Sequence, residues 1–448
     1  MRSWISRTLL VSSAAAALTV AASQAHAFCG FFVSGADAEL TNSASQVVLM
    51  RKGSHTVLTM SNNYKGPPED FAMVVPVPVV LQKENVKTLA ADVFKHIDQL
   101  SAPRLVEYWE QDPCYVPPPV ERKVYAPMMK RSAAARSESS APASLGVTIE
   151  AKFEVGEYQI LILSAKESGG LETWLRLNKY NIPKGAAQAL APYIRDQQKF
   201  FVAKVDIKKV KRDGKGTVVL SPLRFGYDAQ ELRLPVRLGL LNAPGEKDKA
   251  AKQDLIVYVL SPDSRFEVAN YRNVFIPTNI EVSDEVRKVF PAFYAELFDE
   301  TLLRNNNKAV VTEYAWQTTS CDPCPTPPLQ QGDLFTLGDE QIFPESAQLQ
   351  QASPAPGQPM PSRRMAGGFF GGFSPWVLTR LHTRYDKATL SEDLVFRAAE
   401  PAFGGRATRD GGLGDHGAEV HKGGTNNFQG RYIIRHYGGS VNLRREIA

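Results

Sequence analysis

The chain has 448 residues, 43% apolar and 22% charged, with 52 lysines and arginines against 47 aspartates and glutamates for a formal net charge of +5. That balance excludes a disordered or collagen-like chain, and the length suits two to three domains with sizeable cores. So small a positive excess argues against nucleic acid as the natural partner.

Residues 1–27 carry the pattern of an export leader. Arg2 and Arg7 are positive, Leu9 to Ala22 is apolar and Ala-rich, and Ala25-His26-Ala27 is a small-residue cleavage signal. The apolar run is short for a membrane span, and no later run of about twenty apolar residues follows it. The expected mature chain therefore has no transmembrane segment and resides in the periplasm, at the cell surface or outside the cell. Removing the leader takes away two positive charges and leaves 50 basic and 47 acidic residues, or +3.

A first α+β unit is expected over 28–120. Val47 to Met50 and Thr56 to Met60 read as a hairpin around Lys52-Gly53. Phe71 to Leu81 is extended, and Pro76 and Pro78 mark it as an edge or irregular strand because they cannot donate ladder hydrogen bonds. Leu89, Val93, Phe94, Ile97 and Leu100 keep helical spacing, with Pro103 ending the helix. Residues 121–146, rich in Ala, Ser, Arg and Lys, read as a linker without fixed structure.

The second unit spans 147–328. Tyr158 to Leu163 is a buried strand; Leu171 to Leu177 and a stretch from Pro183 toward Ile194 are helical. Phe200 to Val210 is a strand that Asp213-Gly214 turns back into Thr217 to Leu220. Leu255 to Leu260 and Phe266 to Ala269 read as another hairpin. Val286, Val289, Phe290, Phe293 and Leu297 again keep helical spacing. Residues 329–368 hold Pro344, Pro354, Pro356, Pro359 and Pro361 among Gln, Ser and Ala, the composition of a tether. A β-rich, Gly-rich segment over 369–448 closes the chain, with strands at Val377 to Tyr385 and Arg431 to Tyr437. The expected class is α+β, with antiparallel sheets and flanking helices. A shared order of hairpin, extended run, helix and Glu-Tyr strand, followed by Asp112-Pro113-Cys114 in one unit and Asp322-Pro323-Cys324 in the other, suggests a duplicated unit.

Cys29-Gly30-Phe31-Phe32, Ala102 to Leu105 leading to Cys114, Thr312 to Pro325 (TEYAWQTTSCDPCP) and Leu378 to Phe396 (LTRLHTRYDKATLSEDLVF) resemble bacterial domain-of-unknown-function family 2330. The resemblance implies an exported bacterial protein with paired cysteines. It supplies no activity, substrate or catalytic residue.

The four cysteines, Cys29, Cys114, Cys321 and Cys324, form an even set in an exported chain and read as two disulfides in one of three connectivities. Cys321-Asp322-Pro323-Cys324 resembles a redox C-x-x-C motif, but Pro325, Pro327 and Pro328 oppose the helix that would activate its first thiol. A structural disulfide is the expected reading, with a thiol–disulfide oxidoreductase as the rival. Zinc lacks further ligands nearby. Arg380, His382 and Arg384 alternate along one strand, and Arg431 and Arg435 share a face of another. If these strands paired they would form a cationic ribbon for anionic envelope polymers. The plainer alternative is a solvated face neutralised by Asp386, Glu392 and Asp393. Trp109, Trp174 and Trp316 are either sugar-stacking platforms or core residues. The Gly411–Asp415 run with His416 and His421 reads as a solvated loop. Familiar hydrolase and nucleotide-binding fingerprints are absent. No cofactor or metal is expected, and the expected function is a non-catalytic binding or assembly module, with envelope polysaccharides, lipids or proteins as the partner classes.

Overall fold

The computed structural model describes residues 31–33, 45–61, 72–110, 146–178, 180, 185–212, 218–242, 252–262, 264–321, 324–344, 376–386, 388–404, 421–422 and 424–437. In chain order the strands are β1 (Phe31–Val33), β2 (Ser45–Lys52), β3 (His55–Met60), β4 (Ala72–Val77), β5 (Val86–Thr88), β6 (Arg104–Glu110), β7 (Val147–Val155), β8 (Tyr158–Ala165), β9 (Lys199–Val205), β10 (Lys211–Arg212), β11 (Val218–Val219), β12 (Leu223–Asp228), β13 (Leu232–Leu234), β14 (Gln253–Ser261), β15 (Arg265–Val268), β16 (Arg272–Phe275), β17 (Ile280–Glu281), β18 (Ala309–Gln317), β19 (Val377–Tyr385), β20 (Leu394–Ala399), β21 (Ala402–Gly404), β22 (His421–Lys422), β23 (Asn427–Gln429) and β24 (Arg431–Tyr437). The helices are α1 (Asp92–Ser101), α2 (Ser168–Leu177), α3 (Ala186–Arg195), α4 (Val286–Leu303), α5 (Gln331–Leu337) and α6 (Asp339–Ile342).

The class is α+β, and strand alternation sets its layers. Successive side chains point to opposite faces, so a strand that is apolar throughout must be covered on both sides. The main sheet runs β22-β21-β23-β18-β19-β14-β2-β3-β12-β5, with β16 joined to β18. One of its faces, through Val47, Leu49, Leu58 and Val257, packs on Met73, Val75, Ile160 and Phe201 of a second sheet ordered β1-β4-β9-β8-β7. Its other face, through Val48, Met50, Ile256 and Leu260, is covered by Val93, Phe94 and Ile97 of α1 and by Leu334, Leu337 and Ile342 of α5 and α6. The outer face of the second sheet, through Val74, Phe200 and Val202, carries α2 and α3. Three small sheets, β10-β11, β13-β20-β15 and β17-β24-β6, complete the sheets of the described residues.

Several elements lie where sequence placed them. β2 and β3 form the hairpin, in register from Val47↔Met60 to Lys52↔His55, with Gly53 at φ +57 in its turn. α1 buries Val93, Phe94, Ile97 and Leu100 and stops before Pro103. Others differ. β4 is not an edge strand: β9 flanks it throughout, but β1 covers only Ala72 to Val74, so Pro76 lies beyond the pairing on that side. β14 and β15 are not paired with each other; β14 lies between β2 and β19, and β15 joins β20. α4 is kinked at Val289, two residues before Pro291, whose missing N–H interrupts the ladder; Val289 turns outward while Phe298 and Leu302 carry the buried face. Residues 331–342, expected within a tether, form α5 and α6 over the main sheet. The expected linker at 121–146 lies outside the described residues except for Gly146.

The three expected units do not each keep a sheet to themselves. β2, β3 and β5 come from the first, β12, β14, β16 and β18 from the second, and β19, β21, β22 and β23 from the third, all within one sheet. The suggested repeat keeps a helix followed by a Glu-Tyr strand in both halves but neither its second hairpin nor its sheet positions: β14 and β15 do not pair, and β18 is central in the main sheet while its counterpart β6 pairs with β24.

Candidate functional site

β14, β19 and β18 lie side by side in the main sheet, and β19 presents Leu378, Arg380, His382 and Arg384 on its helix-covered face. On β14, Tyr258 stands opposite Arg380 and Asp254 opposite Arg384. On the other side β18 breaks register between Thr312 and Tyr314. Glu313 is the extra residue of this β-bulge, and the bulge re-aims its carboxylate toward Arg380 and His382.

The result is an alternating chain of charge from α1 to α4. Arg380 reaches Asp98 Oδ1 on α1 at 2.5 Å through Nη1 and Glu313 Oε2 at 2.6 Å through Nε. His382 contacts Glu313 Oε1 at 2.6 Å through Nδ1 and Asp254 Oδ1 at 2.7 Å through Nε2. Arg384 donates to Asp254 Oδ2 at 2.9 Å and also to Asp299 on α4. Hydroxyls supplement the chain: Tyr258 donates to Asp98 at 2.7 Å, and Tyr294 donates to Glu313. The Phe298 ring stacks on His382 with centroids 3.9 Å apart. Glu313 is fully buried, whereas the side chains of Asp98 and Asp299 are 38% and 54% exposed, so both ends of the chain open to solvent.

Burial and pairing oppose each other at the buried charged members, and pairing wins. Burial disfavours the imidazolium of His382, but Glu313 and Asp254 push its pKa up to about 9. Burial would raise Glu313, yet His382 and Arg380 bring it down to about 2. Asp254 also falls below the usual carboxylate range against burial, through His382 and Arg384. Burial pushes Tyr258 and Tyr294 up, keeping both as neutral donors.

Carboxylate oxygens only accept, so both ring nitrogens of His382 donate and the ring is an imidazolium. It has no lone pair for a substrate proton or a metal. A catalytic histidine instead keeps one nitrogen facing its nucleophile. The chain ties α1, β14, β18, β19 and α4 together, and its only solvent-open groups are the Asp98 and Asp299 carboxylates at its ends, each already paired with an arginine.

This arrangement corrects the cationic ribbon. Arg380 and His382 are buried and Arg384 half-buried, and all three are neutralised by Asp98, Glu313, Asp254 and Asp299. β24 pairs with β6 and β17, not with β19. There Arg431 is buried and donates to the Tyr108 hydroxyl at 2.8 Å, and Arg435 donates to Glu281 at 3.2 Å. Nor do Asp386 and Asp393 neutralise the β19 face. Asp386 accepts from the Ala388 and Thr389 amides in a turn. Asp393 is buried and pairs with Arg237 while accepting from the Tyr193 hydroxyl at 2.7 Å.

Cys321 and Cys324 form a disulfide. Cys29 and Cys114 lie outside the described residues, as do His416 and the Gly411–Asp415 run. Trp316 is buried in the helix-side core and Trp174 packs partly buried against the second sheet, so neither is an open stacking platform; the Trp109 side chain is outside the described set. Asp98, Asp254, Tyr258, Tyr294, Asp299 and Glu313 escaped sequence reading. The available signal was an acid inside an otherwise apolar run, as in AVVTEYAW.

Two clefts lie away from the charge chain. One of about 680 Å³ is lined by Arg51, Lys52, Gln230, Phe266, Phe396 and Arg397. One of about 370 Å³ opens between the two large sheets, lined by Pro76, Pro78, Phe225 and Tyr227, with Asp196, Glu231 and Arg233 also on its wall.

Taken together, these features define an α+β protein of stacked sheets whose most unusual element is a buried, self-neutralised row of ion pairs. The chain belongs to the bacterial family described as "uncharacterized protein conserved in bacteria (DUF2330)", whose pattern matches residues 22–397. No curated protein and no solved structure matches it.

Proposed function

We propose that this is an exported envelope protein that works by binding or assembly rather than by turnover. The observation that carries the reading is the commitment of His382: each ring nitrogen is already donated to a carboxylate, so the most enzyme-like cluster is a structural tie. The leader pattern at 1–27 and the Cys321–Cys324 bond support an oxidising compartment outside the cytoplasm. Envelope polysaccharides, lipids or proteins are the partner classes, and the 370 Å³ cleft, with aromatic and proline walls and an Arg233 paired to Glu231 and Asp196, is the candidate place for a ligand.

An oxidoreductase using Cys321 and Cys324 is the less favoured reading. Among the described residues after Cys321, α5 is the first helix and begins only at Gln331, too far on to lower a thiol pKa at the motif. Fractionation of the native host, N-terminal sequencing and a binding screen of the purified chain test the proposal. Export with an N-terminus at Phe28 and saturable binding to one envelope component support it; measurable turnover of that component would contradict it.

A further inference from the structure

The bond between Cys321 and Cys324 lies where β18 hands the chain over to α5. Both flanks are anchored without it. Upstream, the Thr318 amide donates to Trp376 O at 2.7 Å and Trp316 Nε1 donates to Ser320 Oγ at 3.1 Å. Downstream, Pro327 O accepts from His96 Nε2 on α1 at 2.9 Å, and Leu329 is buried in the helix-side core. Farther on, Arg224 holds α5 through Phe335 O at 3.0 Å and Thr336 O at 2.7 Å.

A disulfide stabilises chiefly by restricting the unfolded chain, and the effect grows with the loop it closes. This one spans a sequence separation of 3 and closes a four-residue ring. The chain-entropy relation gives such a ring about a 20-fold effect on an opening equilibrium, against something on the order of a thousandfold for a hundred-residue loop. The bond is a weak global staple. Its two sulfurs are also unequal: Cys324 is exposed, while Cys321 is half-buried against the helix-side core.

We propose that Cys321–Cys324 is a reversible thiol-exchange site for exported dithiols, and that its state sets how often the described part of residues 318–330 opens locally. An incoming thiolate attacks the exposed Cys324 Sγ, forms a mixed disulfide and releases Cys321 as a thiolate, which takes a proton. The donor's second thiol then attacks the donor's own sulfur in that mixed bond and releases Cys324. The donor leaves as a disulfide, and the chain has gained two electrons and two protons. In this role the chain is the target of a reductant, which needs no activated thiol of its own. With both flanks still anchored, the opened ring makes transient local opening of the described part of 318–330 more frequent, while Arg224 keeps α5 and α6 seated.

The test treats the full-length protein with dithiothreitol under native conditions, maps each cysteine by differential alkylation, and follows amide exchange and thermal unfolding. Cys321 and Cys324 should reduce while the protein stays folded. Exchange across the described part of 318–330 should quicken about 20-fold, with β14, β19, α5 and α6 unchanged. The double variant Cys321→Ser/Cys324→Ser should reproduce that pattern without reductant. The proposal is overturned if the bond reduces only together with global unfolding, if either cysteine maps to a bond with Cys29 or Cys114, or if exchange at 318–330 does not change on reduction. None of these readouts involves a ligand, so the outcome is independent of what the protein binds.

Discussion

Glu313 shows how much one misplaced residue of register can do. In an unbroken ladder a strand residue contacts its direct cross-strand partner; in the bulge, Glu313 spans both Arg380 and His382. Removing one partner of a buried ion pair strands the other, so Glu313→Gln should cost about 3–5 kcal/mol. Glu300→Gln, at the exposed Arg304–Glu300 pair, should cost less than about 0.5 kcal/mol. Denaturant midpoints at constant slope measure both, and equal small losses would refute the structural weight given to Glu313. The same cluster fixes a pH response. His382 titrates near 6.5 when unfolded and about 9 when folded, so its contribution is complete below about pH 6.5 and lost as pH rises toward 9. Glu313, ordinarily near 4.5 and here about 2, contributes fully above about pH 4.5 and loses that contribution as pH falls toward 2; Asp254 acts in the same direction. The network should therefore stabilise most between about pH 4.5 and 6.5. Thermal unfolding of the parent and of His382→Gln across pH 4–10 checks this, and the variant should lose the alkaline decline.

At the scale of elements, α5 and α6 depend on a backbone conformation that few side chains tolerate. Gly338 joins them at φ +121, and a Cβ there would lie 2.7 Å from Val57 Cγ1. Gly338→Ala thus meets both strain and a clash and should cost about 1–3 kcal/mol, with α5 and α6 losing exchange protection first. Gly53→Ala, at φ +57 with nothing within 4 Å of the new atom, meets only the backbone strain and should cost about 1 kcal/mol. Equal losses would remove the close approach to Val57 from the explanation. These short helices also mark where sequence reading stops. Helical spacing made α1 and α2 legible, because each buries one regular face, while β2, β3 and β8 were legible as short apolar runs, buried on both faces. It could not find α5 and α6, whose 331–342 stretch lies among prolines and glutamines; their order comes from Arg224 on the α5 carbonyls and from Trp376 donating to Asp339 at 3.0 Å. The alternation of Arg380, His382 and Arg384 was visible, but their partners lie 67 to 282 residues away. A run of basic residues looks the same in sequence whether water or carboxylates neutralise it.

For the whole molecule, the decisive fact is that a late strand sits in the middle of the main sheet. β19 pairs with β14 in register from Gln253↔Tyr385 to Ser261↔Val377 and with β18 on its other side. Local hydrophobic patterns suggest three consecutive units, yet the sheet closes only when residues beyond 376 arrive, long after β14 and β18 have left the ribosome. Non-local pairing of this kind makes folding slow, because loop closure precedes any gain from the contacts. It also makes the C-terminal part indispensable. Trp376, Leu378, Leu381 and Tyr385 are all buried, and at about 1.5–3 kcal/mol for each large apolar side chain they represent roughly 6–12 kcal/mol, comparable with the ~5–15 kcal/mol stability of a typical domain. Their loss would also leave Glu313 and Asp254 without cationic partners and two strand edges open to association. A chain truncated after residue 344 should therefore show no cooperative unfolding transition and should aggregate, although it retains most of the residues expected to form independent units. A sharp, reversible transition from that fragment, followed by near-ultraviolet circular dichroism, would show that the earlier strands carry a core of their own.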